Sequence, residues 1–134
     1  VDLETKTIIF YVIASVLDPI TTLLSQTVSN AVELSPIGRI FLNYSWFVSG
    51  SLMFSYSMLV LLMFKFIGKE LEHVYIYSII GLTLSKIIAS ANNYLIYLEV
   101  FNHVLIPLAY INMVGFMVLG TGLELKPYFF SRLR

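Results

Sequence analysis

The chain contains no cysteine, which removes disulfides, thiolate nucleophiles, cysteine-ligated zinc and iron–sulfur clusters from its chemistry. Charge is nearly as scarce. Only 12% of the 134 residues are Asp, Glu, Lys or Arg, about half of the ~25% that a water-facing surface carries. There is no excess of either sign: eight basic and eight acidic residues leave a net charge of zero, so no basic field points to nucleic acid. Histidine is limited to His73 and His103. With the spans described below they fall on opposite membrane sides, so they cannot jointly hold a haem or a metal. No GxSxG, HExxH or P-loop pattern occurs. The expectation is a protein without cofactor or catalytic constellation.

Hydrophobic residues make up 58% of the chain and mean hydropathy is +0.86. A spanning helix needs about 20 mostly apolar residues, because the hydrocarbon core is roughly 30 Å thick and each residue rises about 1.5 Å. Four segments qualify: residues 7–29, 44–67, 73–98 and 104–122. The fold class predicted is all-α, one domain over 1–134, a polytopic transmembrane bundle of four helices. The first apolar run is broken by Asp18-Pro19 with no small-residue cleavage site after it, so it reads as a span rather than a signal peptide. Ser35-Pro36 forms a helix start. A single helix from 36 to 67 would be about 48 Å long and overrun the core, so a short interfacial stretch over 37–44 should precede the second span. Gly68 ends that span, and Pro107 fits the first turn of the fourth.

Lysine and arginine set the orientation. Lys6, Lys65, Lys69, Lys126, Arg132 and Arg134 share one side, and only Arg39 lies on the other. Cytoplasmic loops carry the excess of Lys and Arg, so both termini are expected in the cytoplasm of a cell-membrane protein. Trp46, Tyr44, Tyr75, Tyr94, Tyr97 and Tyr128 fall near the interfaces, where amphipathic rings belong.

Two charges lie deep in the spans. Asp18 is eleven residues into the first, about 16 Å from its cytoplasmic end. Lys86 is thirteen residues into the third, about 20 Å by the same rise. A mid-membrane charge costs at least about 2.5–3.5 kcal/mol, so matched depth suggests a buried ion pair. Helical steps of three, four, seven and eleven from Asp18 give Tyr11, Ala14, Ser15, Thr21, Thr22, Ser25 and Ser29, a small-and-polar stripe. The same steps from Lys86 give Thr83, Ala89, Ser90, Asn93 and Tyr97, and Asn112 reaches similar depth on the fourth span beside Ala109 and Gly115. Pro19 cannot donate to the Ser15 carbonyl, so a kink is expected just before Asp18. The candidate site is Asp18, Lys86, Asn112, Ser15, Thr22, Ser90 and Asn93. It reads either as interhelical glue or as an ion relay or binding site. On the second span, Ser45–Ser49 and Ser51–Ser55 match the small-x-x-x-small pattern of close helix approach. At the outer turn, Glu33 and Arg39 are placed to form a clasp.

The Asp18…Thr22 pair followed by Glu33-Leu34-Ser35-Pro36 resembles an uncharacterised family of small prokaryotic multi-helix integral membrane proteins with D-x-x-x-T and E-x-[NS]-P motifs. The similarity spans about Asp18 to Arg39. This chain has Ser-Pro where that family has Asn-Pro, and its lysine lies on a later helix. The resemblance implies a fold class and a prokaryotic source, toward which the Ile-, Tyr- and Ser-rich composition also leans; it implies no activity. Small size, short loops and small-residue faces point first to a non-catalytic accessory or assembly subunit, partnered by the bilayer and by other membrane subunits or by itself. The second reading is a small proton, ion or solute carrier that uses Asp18, Lys86 and Asn112.

Overall fold

A computed structural model describes residues 2–28 and 36–133, apart from the side chains of 36, 129, 130, 132 and 133. The described residues form five helices: α1 (Leu3–Ser25), α2 (Pro36–Phe41), α3 (Trp46–Ile67), α4 (Glu72–Tyr97) and α5 (Leu105–Leu133). Among the described residues, four stretches are long and apolar enough to cross a membrane: Leu3–Ser25, Trp46–Ile67, Glu72–Tyr97 and Leu105–Tyr128.

Local chemistry explains the boundaries. The carboxylate of Asp2 accepts the Thr5 backbone N–H at 2.7 Å, which starts α1 earlier than hydropathy indicates and satisfies one of its free donors. Hydrogen bonds from the Thr5 side chain and backbone hold the Asp2 carboxyl below its ordinary value of 3.8. The segment from Pro36 to Ile67 is divided into α2 and α3, as its length required. Ser49, within α3, donates its hydroxyl to the carbonyls of Phe41 at 2.6 Å and Tyr44 at 3.1 Å. Both carbonyls lie at the end of α2 or in the turn after it, so these bonds tie that turn to α3. Asn102 starts α5: its side-chain oxygen accepts from the backbone N–H groups of Val104 (3.2 Å) and Leu105 (3.0 Å), while its amide nitrogen donates to Asn92 at 3.1 Å. The helix α5 then continues through Pro127, well beyond residue 122.

Contacts along α4 fix the packing. Tyr75 bonds Glu4, Lys86 meets Asp18 and Asn93 bonds Thr22. The sequence separation stays near 70 from one end to the other, so α1 and α4 run parallel and in register. On the other face of α4, His73 meets Glu124, the Gly81 carbonyl accepts from Asn112, and Ser85 donates to the Ala109 carbonyl. Here the separation shrinks along the helix, so α5 is antiparallel. The helix α3 lies against both α1 and α4, and neither α3 nor α1 packs on α5. The helices therefore form a row, α5–α4–α1, with α3 over the α1–α4 groove, and the bundle is not closed into a ring.

The bundle is polar inside and greasy outside. Tyr11, Ala14, Ser15, Thr22 and Ser25 of α1 are buried, whereas Ile9, Phe10, Ile13, Val16, Leu17 and Ile20 are exposed. Such a surface suits lipid rather than water. Trp46, Tyr44, Tyr94, Tyr97 and Tyr128 are exposed, but Tyr75 is not the interfacial ring expected. It is 4% exposed, because its hydroxyl reaches Glu4 at 3.2 Å across the α1–α4 contact. Of the serines in the small-residue pattern of α3, Ser49 is buried whereas Ser45, Ser51 and Ser55 face outward.

Candidate functional site

Parallel register between α1 and α4 brings Asp18 and Lys86 to one level, because each lies about four turns past its helix start. The Lys86 Nζ stands 3.6 Å from Asp18 Oδ2. It also donates to Ser57 Oγ on α3 at 2.8 Å and lies 5.7 Å from the centroid of the Tyr11 ring, within cation–π range. The Tyr11 hydroxyl in turn donates to the Ser57 carbonyl at 2.8 Å. Three helices thus meet around one ammonium group.

The pair differs from the expectation in one respect: it is not buried. The side chains retain 31% of their accessible surface at Asp18 and 17% at Lys86. They line a cleft of about 300 Å³ whose walls come from all five helices. The geometry of the row is the cause. With no contact between α3 and α5, the groove beside α4 stays open. Asp18, Lys86 and Ser57 form part of its polar wall. Phe41 from α2, Tyr56 from α3 and Tyr110 from α5 supply aromatic surface. Phe41 and Tyr56 pack edge to face, with ring centroids 6.2 Å apart at 65°.

The other expected site residues divide. Asn93 lines the cleft and donates its amide to Thr22 Oγ1 at 3.0 Å, so both take part in the α1–α4 contact at the cleft edge. Asn112 stands apart from the charges. It donates to the Gly81 carbonyl at 3.1 Å and to Ser85 Oγ at 3.2 Å, which makes it a clamp between α4 and α5. Ala109 packs into the same interface, but a side chain added at Gly115 would meet nothing within 4 Å. Among the described residues, the buried hydroxyls of Ser15 and Ser90 have no hydrogen-bond partner, and neither residue lines the cleft. The helix α1 runs unbroken through Pro19. Glu33 and Ser29 lie outside the described residues, so the clasp of Glu33 with Arg39 and the Glu33–Ser35 motif have no described geometry.

Sequence reasoning missed Ser57 and the aromatic wall. The signal for Ser57 was present: a lysine ammonium carries three donors, one carboxylate cannot satisfy them all, and Ser57 is a hydroxyl in the middle of the remaining long helix. The aromatic wall had no such signal, since it depends on how α2 folds back over α3. The α4–α5 contacts through Gly120 and Glu124 were also missed. A β-carbon at Gly120 would stand 2.8 Å from the His73 carbonyl oxygen, so only glycine permits this approach. Glu124 accepts from both the backbone N–H of His73 and its ring, each at 2.9 Å. Among the described residues, no three His, Asp or Glu side chains converge as metal ligands. No protein-family model matches the chain, and no curated protein or solved structure matches it either.

Proposed function

We propose that this chain is an integral membrane protein, with both termini cytoplasmic, that binds and carries a small solute through the cleft at Asp18 and Lys86. The observation that carries the reading is the partly exposed ion pair inside a cleft lined by all five described helices. A pair in an open cleft avoids the desolvation cost that makes a fully buried pair no better than apolar residues, and it stays accessible to a solute. Intramembrane charges that face a cavity mark substrate or ion pathways. The six-to-one division of Lys and Arg supports the topology. Under that topology the cleft lies from mid-membrane toward the outer face, since residues 37–41 and 106–113 line it. The similarity of Asp18…Thr22 and Glu33–Pro36 to a family of small prokaryotic membrane proteins is part of the same proposal. Asn112 is assigned to the α4–α5 clamp rather than to the solute.

The second reading, an accessory or assembly subunit, draws support from the under-packed helices. The helices α3 and α5 bury a much smaller share of their apolar stretches than α1 and α4 do. A partner's helix at the cleft mouth would cover both. Purification in mild detergent separates the two. A lone chain or homo-oligomer that binds solute supports the carrier, whereas stoichiometric foreign subunits with no solute response replace it with the subunit. Topology is checked by single cysteines. One near Lys69 is expected to label only from the cytoplasm and one near Glu99 only from outside; labelling from one shared face overturns the four-span topology.

A further inference from the structure

The two charges at the cleft are unequally satisfied, and the inequality points to the ligand. Lys86 is held on three sides by Ser57 Oγ, the Tyr11 ring and Asp18. Asp18 is the more exposed of the pair, and its ion-pair partner among the described residues is Lys86. The Lys86 ammonium at 3.6 Å is too distant for a charge-assisted bond, which has a length of about 2.7–2.9 Å. A carboxylate has roughly four acceptor sites, and in this position water or a ligand must fill them. The walls around it complete the pattern. Phe41, Tyr56 and Tyr110 offer ring surface from three separate elements, and aromatic faces attract ammonium groups.

Resting on the solute-binding reading above, we infer that the cleft takes a small organic ammonium ion, with Asp18 as its counter-ion and Phe41, Tyr56 and Tyr110 as its aromatic enclosure. Lys86 is then a tuning charge. It weakens the field of Asp18 without engaging the ligand, and its hydrogen bond to Ser57 on α3 draws it to that side. The ammonium group has two sources of the same chemistry, a free amine or the headgroup of a choline or ethanolamine lipid.

The test uses the full chain in neutral maltoside micelles, titrated calorimetrically with tetramethylammonium, ethylammonium, acetate and glycine betaine. The two cations are expected to bind saturably and acetate not at all. Asp18→Asn should weaken cation binding about ten- to hundredfold, the scale of one charge-assisted interaction. Lys86→Met should tighten it, a response that a purely structural Lys86 would not give. Should Asp18→Asn fail to fold, the double variant Asp18→Asn/Lys86→Met, which strands no charge, must show the same loss. Tyr110→Ala, on an exposed part of α5, should weaken binding with the fold intact. Loss of the free-cation response when phosphatidylcholine or phosphatidylethanolamine, but not phosphatidylglycerol, is added assigns the cation to lipid; persistence assigns it to free solute. Saturable binding of acetate or betaine that depends on Lys86 overturns the ammonium class and leaves the binding cleft standing. Silence toward all four probes overturns both.

Discussion

The contact between α1 and α4 and the gap between α3 and α5 divide the molecule. Between α1 and α4, Tyr11, Ala14, Ser15 and Thr22 meet Tyr75, Ser78, Ile79 and Thr83, all buried, along two parallel helices in register. Small side chains let the backbones approach, and the Tyr75–Glu4 and Asn93–Thr22 bonds tie the two helices together. The helices α3 and α5 carry equally apolar sequences, with hydropathy 1.8 and 1.6, yet do not touch. What differs is the distribution of residues rather than the amount of grease. On α5 the small and polar residues Ala109, Asn112 and Gly120 face α4, whereas Val114, Val118 and Leu119 face outward. Hydrophobicity takes a helix into the bilayer. Small and polar side chains decide which neighbour it finds there, and whatever side lacks them is left to lipid or to a cleft.

Breaking the charge pair should have the largest effect. Asp18→Asn or Lys86→Met alone strands the other group midway along its apolar helix. A fully buried pair would lose about 3–5 kcal/mol, and the partial exposure of this one puts the expected loss near or below the low end. The double variant should recover most of it. Unfolding measured in mixed detergent micelles checks this, and two mild, additive singles would show that the groups do not interact.

The next test sharpens the comparison at the filled interfaces. Gly120→Leu drives a side chain into the His73 backbone, where even a β-carbon would come within 2.8 Å, and overpacking of this kind costs about 1–3 kcal/mol. Gly115→Ala on the same helix meets only open space and should be neutral or stabilise by up to about 1 kcal/mol through helix propensity. Equal effects at the two positions would contradict the packing of α5. Smaller again is Asn112→Leu, which removes the bonds to Gly81 and Ser85. Interhelical hydrogen bonds in membranes average about 0.6 kcal/mol and reach about 1.7. This variant should loosen the α4–α5 contact yet leave cation binding unchanged, because Asn112 does not reach the cleft.

The smallest effect is expected at the exposed start of α1. The carboxyl of Asp2 titrates lower in the folded chain than its ordinary 3.8. Its contribution to the first turn is therefore complete above about pH 4 and fades as pH falls through the lowered value. The protection factor of the Thr5 amide, which corrects for the intrinsic pH dependence of exchange, should fall over that window and stay constant with pH in Asp2→Ala. An unchanged profile in the variant would remove the cap from the account.

Four apolar helices, the break between α2 and α3, and the level of Asp18 and Lys86 all follow from residues read in order, because span length, proline position and helical rise are properties of a single segment. The small-and-polar stripe of α1 was legible for the same reason: a helix face repeats at fixed spacing. Which face meets which neighbour depends on the other helices and was settled only by tertiary structure. That level of organisation placed α1 parallel to α4, turned Asn112 away from the charges and brought Ser57 to Lys86. It also held α3 apart from α5, so that an ion pair of matched depth, which sequence alone would bury, stands in the wall of an open cleft. The physical reason is that lipid solvates every apolar face equally well. The four hydrophobic patterns therefore contain no preference for closure, and the few close contacts permitted by Gly81, Gly120 and the serines determine the shape.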